Sequence, residues 1–224
     1  MIRSSLLAFA LTAFTASTAM AVTVNGVSAS KDGRITSIPY GSTHYTPPPT
    51  LMPGKDLVFS NVGYKYPNGL YFCCYGNTIS GTASLIGSVN WVAMGFTPAV
   101  DSDLKEIDVG VGYVAGTNKV VISLYDDNGG VPGNLIKKWP ATGLGAFGAC
   151  CQIEVNKGKG IHVNGGIPYW VAVTTDGADS DTWAAWPFNS TDQINSIPIA
   201  VNQGSGWVDA GGEVPAPNFA VIGK

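Results

Sequence analysis

The chain carries little charge. Asp, Glu, Lys and Arg make up 12% of its 224 residues, about half of the quarter usual in a soluble domain. Twelve basic against 15 acidic residues leave a net charge of −3. Arg3 and Arg34 are the only arginines, and no basic run occurs. This excludes a nucleic-acid binder, whose affinity rests on clustered Lys and Arg. Histidine is nearly absent: His44 and His162 are the only two, so few side chains could act as a base near neutral pH. No G-x-S-x-G elbow occurs, so no serine hydrolase is expected. No stretch of ten or more residues has clean helical periodicity, and Asp101–Ile107 could form one helical turn at most. No period of 20–50 residues repeats. Past the N-terminus, no apolar run reaches the length of about 18 residues that a membrane-spanning helix needs.

What is present points outside the cytoplasm. Residues 1–21 read as an export signal. Arg3 is the positive start, Leu6 to Ala16 the short apolar stretch, and Ala19-Met20-Ala21 the small-x-small cleavage site. Secretion to the cell surface or the extracellular space is the expected destination, with the periplasm as an alternative. Residues 22–55 read as an arm. Val22–Val27 suits a short strand. Beyond it, Pro47-Pro48-Pro49 and Pro53 favour extended backbone that cannot pair in a central strand. Residues 56–224 read as one domain.

Hydrophobic residues are 45% of the chain, enough for a packed core, and glycine is abundant at 29. From Asp56 onward strands follow one another. Ile107, Val109, Val111 and Tyr113 alternate with Asp108, Gly110 and Gly112, and Val120, Ile122 and Leu124 repeat the period of two. Tyr169–Val173 is an unbroken apolar run, as in a strand buried on both faces. Turn signals separate these runs: Gly116-Thr117-Asn118, Asp127-Asn128-Gly129-Gly130, Pro132-Gly133, Asn156-Lys157-Gly158, Asn164-Gly165-Gly166 and Asp176-Gly177. The C-terminal Asn218–Lys224 reads as a last strand. The pattern predicts an all-β antiparallel sandwich. Gly110-Val111-Gly112 loosely resembles a dinucleotide fingerprint, but a strand follows it where that motif needs a helix N-terminus.

The four cysteines form two adjacent pairs, Cys73-Cys74 and Cys150-Cys151. In an exported chain an even count argues for disulfides, and four cysteines permit three connectivities. Bridges crossing between the two pairs are expected, because pairing adjacent residues requires a strained ring. Each crossing bridge would contribute about 4 kcal/mol in the chain-entropy picture. Zinc motifs space cysteines two to four residues apart, which these do not.

Other candidates for chemistry are few. Glu106 and Glu154 are the glutamates placed on predicted strands, with Glu213 near the end. Nothing in the sequence pairs them as glycoside hydrolysis would require, and no catalytic residue is assigned. Asp176, Asp179 and Asp181 lie within six residues of one another, and Asp126-Asp127 precede Asn128-Gly129. Calcium takes clustered loop oxygens, so the first group is the leading candidate metal site and the second a weaker one. No other cofactor is expected. Aromatics crowd late in the chain. Trp183, Trp186 and Trp207 are the candidates for stacking on a sugar ring. In a regular strand Trp183 and Trp186 point to opposite faces, which predicts only one of them in the core. Asn189-Ser190-Thr191 fits an N-glycosylation acceptor.

Several ordered segments together resemble the choice-of-anchor R domain, a family of exported bacterial proteins. They are Tyr71–Gly81, Phe96-Thr97-Pro98, Ile107–Gly112, Asp127–Gly133, Phe147–Cys151 and Asp181–Asn189, spread over residues 60–224. The resemblance implies a β-sandwich displayed on, or released from, the cell. It implies no catalytic residue or cofactor. Members often end in a sorting signal. This chain stops after the domain, which favours release or non-covalent retention. The expectation is therefore a disulfide-stapled sandwich with jelly-roll-like connections. Its expected role is a non-enzymatic binding or adhesion module, with a polysaccharide or other matrix component as partner. The alternatives are a self-assembling structural subunit (a homo-oligomer using its N-terminal arm) and, less favoured, a carbohydrate-active enzyme.

Overall fold

The structure is a computed structural model. It describes residues 25–29, 35–39, 56–61, 71–147, 152–156, 158, 160–189, 197–211 and 216–224, with side chains omitted at 25–29, 35–39, 71–75 and 189. The export signal, the proline cluster, His44, Cys150, Cys151, Ser190, Thr191, Glu213 and the side chains of Cys73 and Cys74 lie outside the described residues. The expected disulfides therefore do too.

The protein is all-β, with every strand ladder antiparallel. Among the described residues, sixteen strands form three sheets. The first sheet has the order β2 (Ile35–Pro39), β1 (Asn25–Ala29), β4 (Tyr71–Ser80), β13 (Trp183–Asn189), β7 (Gly112–Ala115). The second has the order β10 (Gln152–Val155), β6 (Ser102–Gly110), β16 (Phe219–Gly223), β3 (Leu57–Ser60), with β11 (Ile161–Val163) also on β6. The third has the order β15 (Trp207–Asp209), β14 (Ile199–Asn202), β5 (Trp91–Phe96), β12 (Tyr169–Thr174), β8 (Lys119–Asp127), β9 (Pro132–Thr142).

One apolar core joins all three. Ile79, Ala184 and Trp186 enter from the first sheet, Leu104, Ile107, Val109 and Phe219 from the second, and Val92, Met94, Ile122, Leu124 and Val171 from the third. The third sheet is thus one layer of a sandwich, and the first two together make the other. Period-two alternation produces this directly, since alternate residues of each strand share the inward face. The unbroken run of β12 is buried at all six positions.

The first two sheets are joined through one stretch of chain. β6 pairs with β16 up to Val109, and two residues past Gly110 the chain enters β7 and pairs with β13. Asn218 holds this crossing and is fully buried. Its Oδ1 accepts from the Gly110 N–H at 2.9 Å, and its Nδ2 donates to the Pro187 carbonyl at 2.8 Å. Its own carbonyl accepts from Trp186 Nε1 at 2.7 Å. Asn61, also fully buried, spans Pro217 and Phe219 through its amide at 2.7 Å each.

Several local expectations are corrected. Asp101–Ile107 contains no helical turn: Ser102 opens β6, because pairing with β16 and β11 satisfies its backbone. Pro132-Gly133 is not a turn but the start of β9, where a proline's missing N–H costs no ladder bond. The turn signal at Asn156 and Gly158 does fall between two strands, but β10 and β11 both pair with β6 along one edge, and Asn156 Nδ2 donates to the Leu104 carbonyl at 3.1 Å. Gly116-Thr117-Asn118 passes the chain from the first sheet to the third. Gly116 sits there at φ +75°, and a Cβ would lie 1.9 Å from the Asp181 carbonyl oxygen, so only glycine fits. Asp127–Gly130 does close the β8–β9 hairpin, with Gly129 and Gly130 at positive φ. Part of the expected arm is docked: β1 and β2 form a hairpin, and Gly26–Ser28 pair with Tyr75–Asn77 of β4.

β9 is an edge strand with Leu135 and Ile136 exposed. It also exposes Lys137, Lys138 and Pro140, and its register shifts twice against β8. Charge, proline and bulges are the devices that discourage pairing with another chain.

Candidate functional site

Two of the three expected stacking residues are unavailable for stacking. Trp186 is fully buried in the main core, its ring 6.4 Å from Phe219, and its N–H is used by Asn218. Trp183 points to the opposite face, as its spacing predicted, but that face is covered too. It is 8% exposed and packs with Phe147 and Ala185 under Ile86 and Val114. Trp186 alone joins the main core, but Trp183 is buried as well, in a separate small cluster on the other face. Trp207 is half-buried.

The acidic loop does not gather its carboxylates. Asp176 is held by Lys119 Nζ at 2.5 Å, and the Asp181 Oδ1 accepts from the Thr117 N–H at 3.1 Å. Asp179 is exposed. The Lys119 hydrogen bond, and then its charge, hold the Asp176 carboxyl below the ordinary carboxylate range. The hydrogen bonds from Thr117 lower Asp181 in the same direction. Groups with lowered folded-state pKa contribute above the unfolded value and lose that contribution as pH falls through the folded one. Carboxyl NMR titration should therefore place both midpoints below the ordinary range, and Lys119→Met should return Asp176 to it. An unmoved Asp176 midpoint in that variant would show that Lys119 is not the cause.

Asp126 and Asp127 brace the β8–β9 hairpin. Asp126 accepts from the backbone and side-chain amides of Asn134. Asp127 Oδ1 accepts from Trp170 Nε1 at 2.8 Å and from the Gly130 N–H at 3.2 Å.

The glutamates that the sequence could not pair are brought together by register. Asp108 of β6 lies opposite Glu154 of β10, with Glu106 two residues along the same face. One oxygen from each lies within 4.8 Å of the others, the one such group among the described residues with the spacing to hold a metal ion. Asp108 is 1% exposed. His162 sits apart on the surface, with Nδ1 3.2 Å from Asp103.

The outer face of the third sheet has a different composition. Ala93, Ala172 and Ala200 lie side by side on β5, β12 and β14 and point away from the main core. Outward alanines would ordinarily be wet, yet all three are fully buried. Tyr125 of β8 and Trp207 of β15 cover them. Three strands separate β8 from β15, but the two rings meet edge to face, 6.2 Å apart at 68°. They lie across the sheet over a floor of small residues. Burial pushes the Tyr125 hydroxyl above its ordinary pKa, with a Ser123 hydrogen bond opposing it. Trp91, half-buried on the same face, donates Nε1 to Thr175 at 2.8 Å.

This face leads into a depression of about 570 Å³. Trp170 lies between Tyr125 and Gly95 in register, and Trp170 and Gly95 line the depression. Phe59, Phe96 and Ile197 line it too, and Thr97, Gly129, Gly130, Pro168 and Pro198 are exposed lining residues. Asp127 contributes the carboxylate. Composition singled out the late tryptophans, but Tyr125 and the alanine floor gave no sequence signal of their own. No family model, no curated protein and no solved structure matches the chain.

Proposed function

We propose that this chain is an exported, non-enzymatic binding module of the cell surface or extracellular matrix, and that it holds a polysaccharide on the outer face of its third sheet. The observation that carries this reading is the half-buried Tyr125–Trp207 pair, laid over the alanine floor and running into an aromatic-lined depression. Aromatic rings offer large apolar faces with a polar tip, which suits the C–H faces of sugar rings. Small ligand sites elsewhere combine apolar walls with a few placed polar groups, and Asp127 and Thr97 supply those here.

A glycan array of the mature protein, followed by titration of the polymers it retains, tests the reading. Tyr125→Ala and Trp207→Ala should each weaken binding about tenfold, equivalent to about 1.4 kcal/mol. Trp183→Phe, away from the face, should leave it unchanged. Retention of no glycan, or equal binding by all the variants, would reject the proposal. Light scattering of the same protein should report a monomer, consistent with the blocked edge of β9. Concentration-dependent assembly would favour a structural subunit instead.

A further inference from the structure

The lining of the depression restricts which sugar can enter. Its described lining holds one ionisable group, Asp127, among Phe59, Phe96, Trp170, Ile197 and prolines. Its volume of about 570 Å³ falls within the range of about 300–1,000 Å³ usual for small-ligand sites. Trp170, Phe96 and Ile197 are at most 8% exposed and form the bottom, whereas Thr97, Gly129 and Gly130 are open to solvent. A plain hexose seated there would press several hydroxyls against carbon. Each buried hydroxyl left without a partner costs about 1–3 kcal/mol. A sugar carrying an apolar substituent would not incur that loss.

Asp127 adds a second restriction. An ionised carboxylate only accepts hydrogen bonds, and it has about four lone-pair positions. The Trp170 and Gly130 N–H groups use two or three of them, so acceptor capacity remains for a donor on the ligand. Low local polarity strengthens such a bond. The same carboxylate repels a second one, so a uronic acid is disfavoured at this position. The required ligand therefore has an amide N–H to donate, a methyl group to bury and no negative charge.

Resting on the polysaccharide reading above, we infer that the depression is the subsite for an N-acylated amino sugar within a neutral polymer. The N-acyl methyl packs against Phe59, Phe96 and Ile197, and the amide N–H donates to Asp127. The remainder of the chain runs over the Tyr125–Trp207 face.

Calorimetric titration of the full-length mature protein with three oligomers of matched length tests this. They are β-1,4-linked N-acetylglucosamine, β-1,4-linked glucose and an oligouronate. The N-acetylated oligomer should bind at least tenfold tighter than the glucose oligomer, and the oligouronate should not bind. Asp127→Asn keeps an oxygen for Trp170 but removes the charge. It should weaken the N-acetylated oligomer about tenfold and admit the oligouronate, with an unchanged circular dichroism spectrum. Preference for the glucose oligomer, equal affinity for both, or uronate binding by the unsubstituted protein would overturn the inference while leaving the polysaccharide reading intact. Binding of no oligomer and no arrayed glycan would overturn both.

Discussion

Replacing Asn218 with leucine should lower stability by about 2–4 kcal/mol, measured by urea unfolding with an unchanged slope. Leucine has the same branched skeleton of heavy atoms and is no smaller, so the cost is not a cavity. The change leaves the Gly110 N–H, deep in the protein, without its Asn218 acceptor, and removes one of the two N–H donors to the Pro187 carbonyl, the backbone N–H of residue 218 remaining. An orphaned buried donor costs about 1–3 kcal/mol and a lost hydrogen bond about 1. The site is also where the chain leaves one sheet for another, between β6 and β7. Asn77 supplies the control. It too is fully buried, but neither atom of its amide meets a partner among the described residues. Asn77→Leu should therefore cost less than about 1 kcal/mol or stabilise, since unmet polar atoms are replaced by carbon. Similar losses at the two positions would show that leucine's shape, not hydrogen bonding, sets the effect at Asn218.

Phe219→Ala should cost about 3–5 kcal/mol, the largest effect of a single substitution expected here. The ring is fully buried and touches all three sheets. It stacks on Phe59 of β3 at 4.7 Å, meets Phe96 of the third sheet edge-on at 6.3 Å, and meets Trp186 of the first sheet at 6.4 Å. Truncation removes the transfer energy of the ring and leaves a space that three sheets would have to shift together to close. Phe219→Leu, which refills most of the volume, should cost about 1–2 kcal/mol. A loss below about 1 kcal/mol for the alanine variant, read from chemical unfolding, would mean that the sheets are not coupled through this ring. Phe59 and Phe96 also line the depression, so Phe219→Ala should weaken ligand binding as well, without touching the ligand.

Much of the fold was legible in the chain. Alternation at Ile107–Tyr113 and Val120–Leu124 marked strands, and the apolar run at Tyr169–Val173 marked the central β12. Asp127–Gly130 was readable as a hairpin because positive φ at consecutive glycines is a local requirement. The other turn signals showed where strands end, but not which strands they join. Gly116–Asn118 leads from the first sheet to the third, whereas Asn156 and Gly158 lie between two strands that share one neighbour. The partner of a strand is a long-range choice, and turn residues carry no information about it.

The site was less legible for the same reason. A spacing of three put Trp183 and Trp186 on opposite faces, and that geometry held. Whether either face meets solvent depends on what packs there, and Phe147 and Ile86 arrive from distant segments to cover Trp183. Glu106, Asp108 and Glu154 come together only because β10 pairs with β6 in one register. The Tyr125–Trp207 contact spans five strands of one sheet. The all-β class, the main strands, the alternating direction of their side chains and the scarcity of charge follow from the order of residues alone. Which faces are covered, which carboxylates meet and where the aromatic surface opens depend on how the strands pair and the sheets pack. Side-chain alternation is set by backbone geometry within a strand, while exposure and proximity are set by register and packing between residues far apart in the chain.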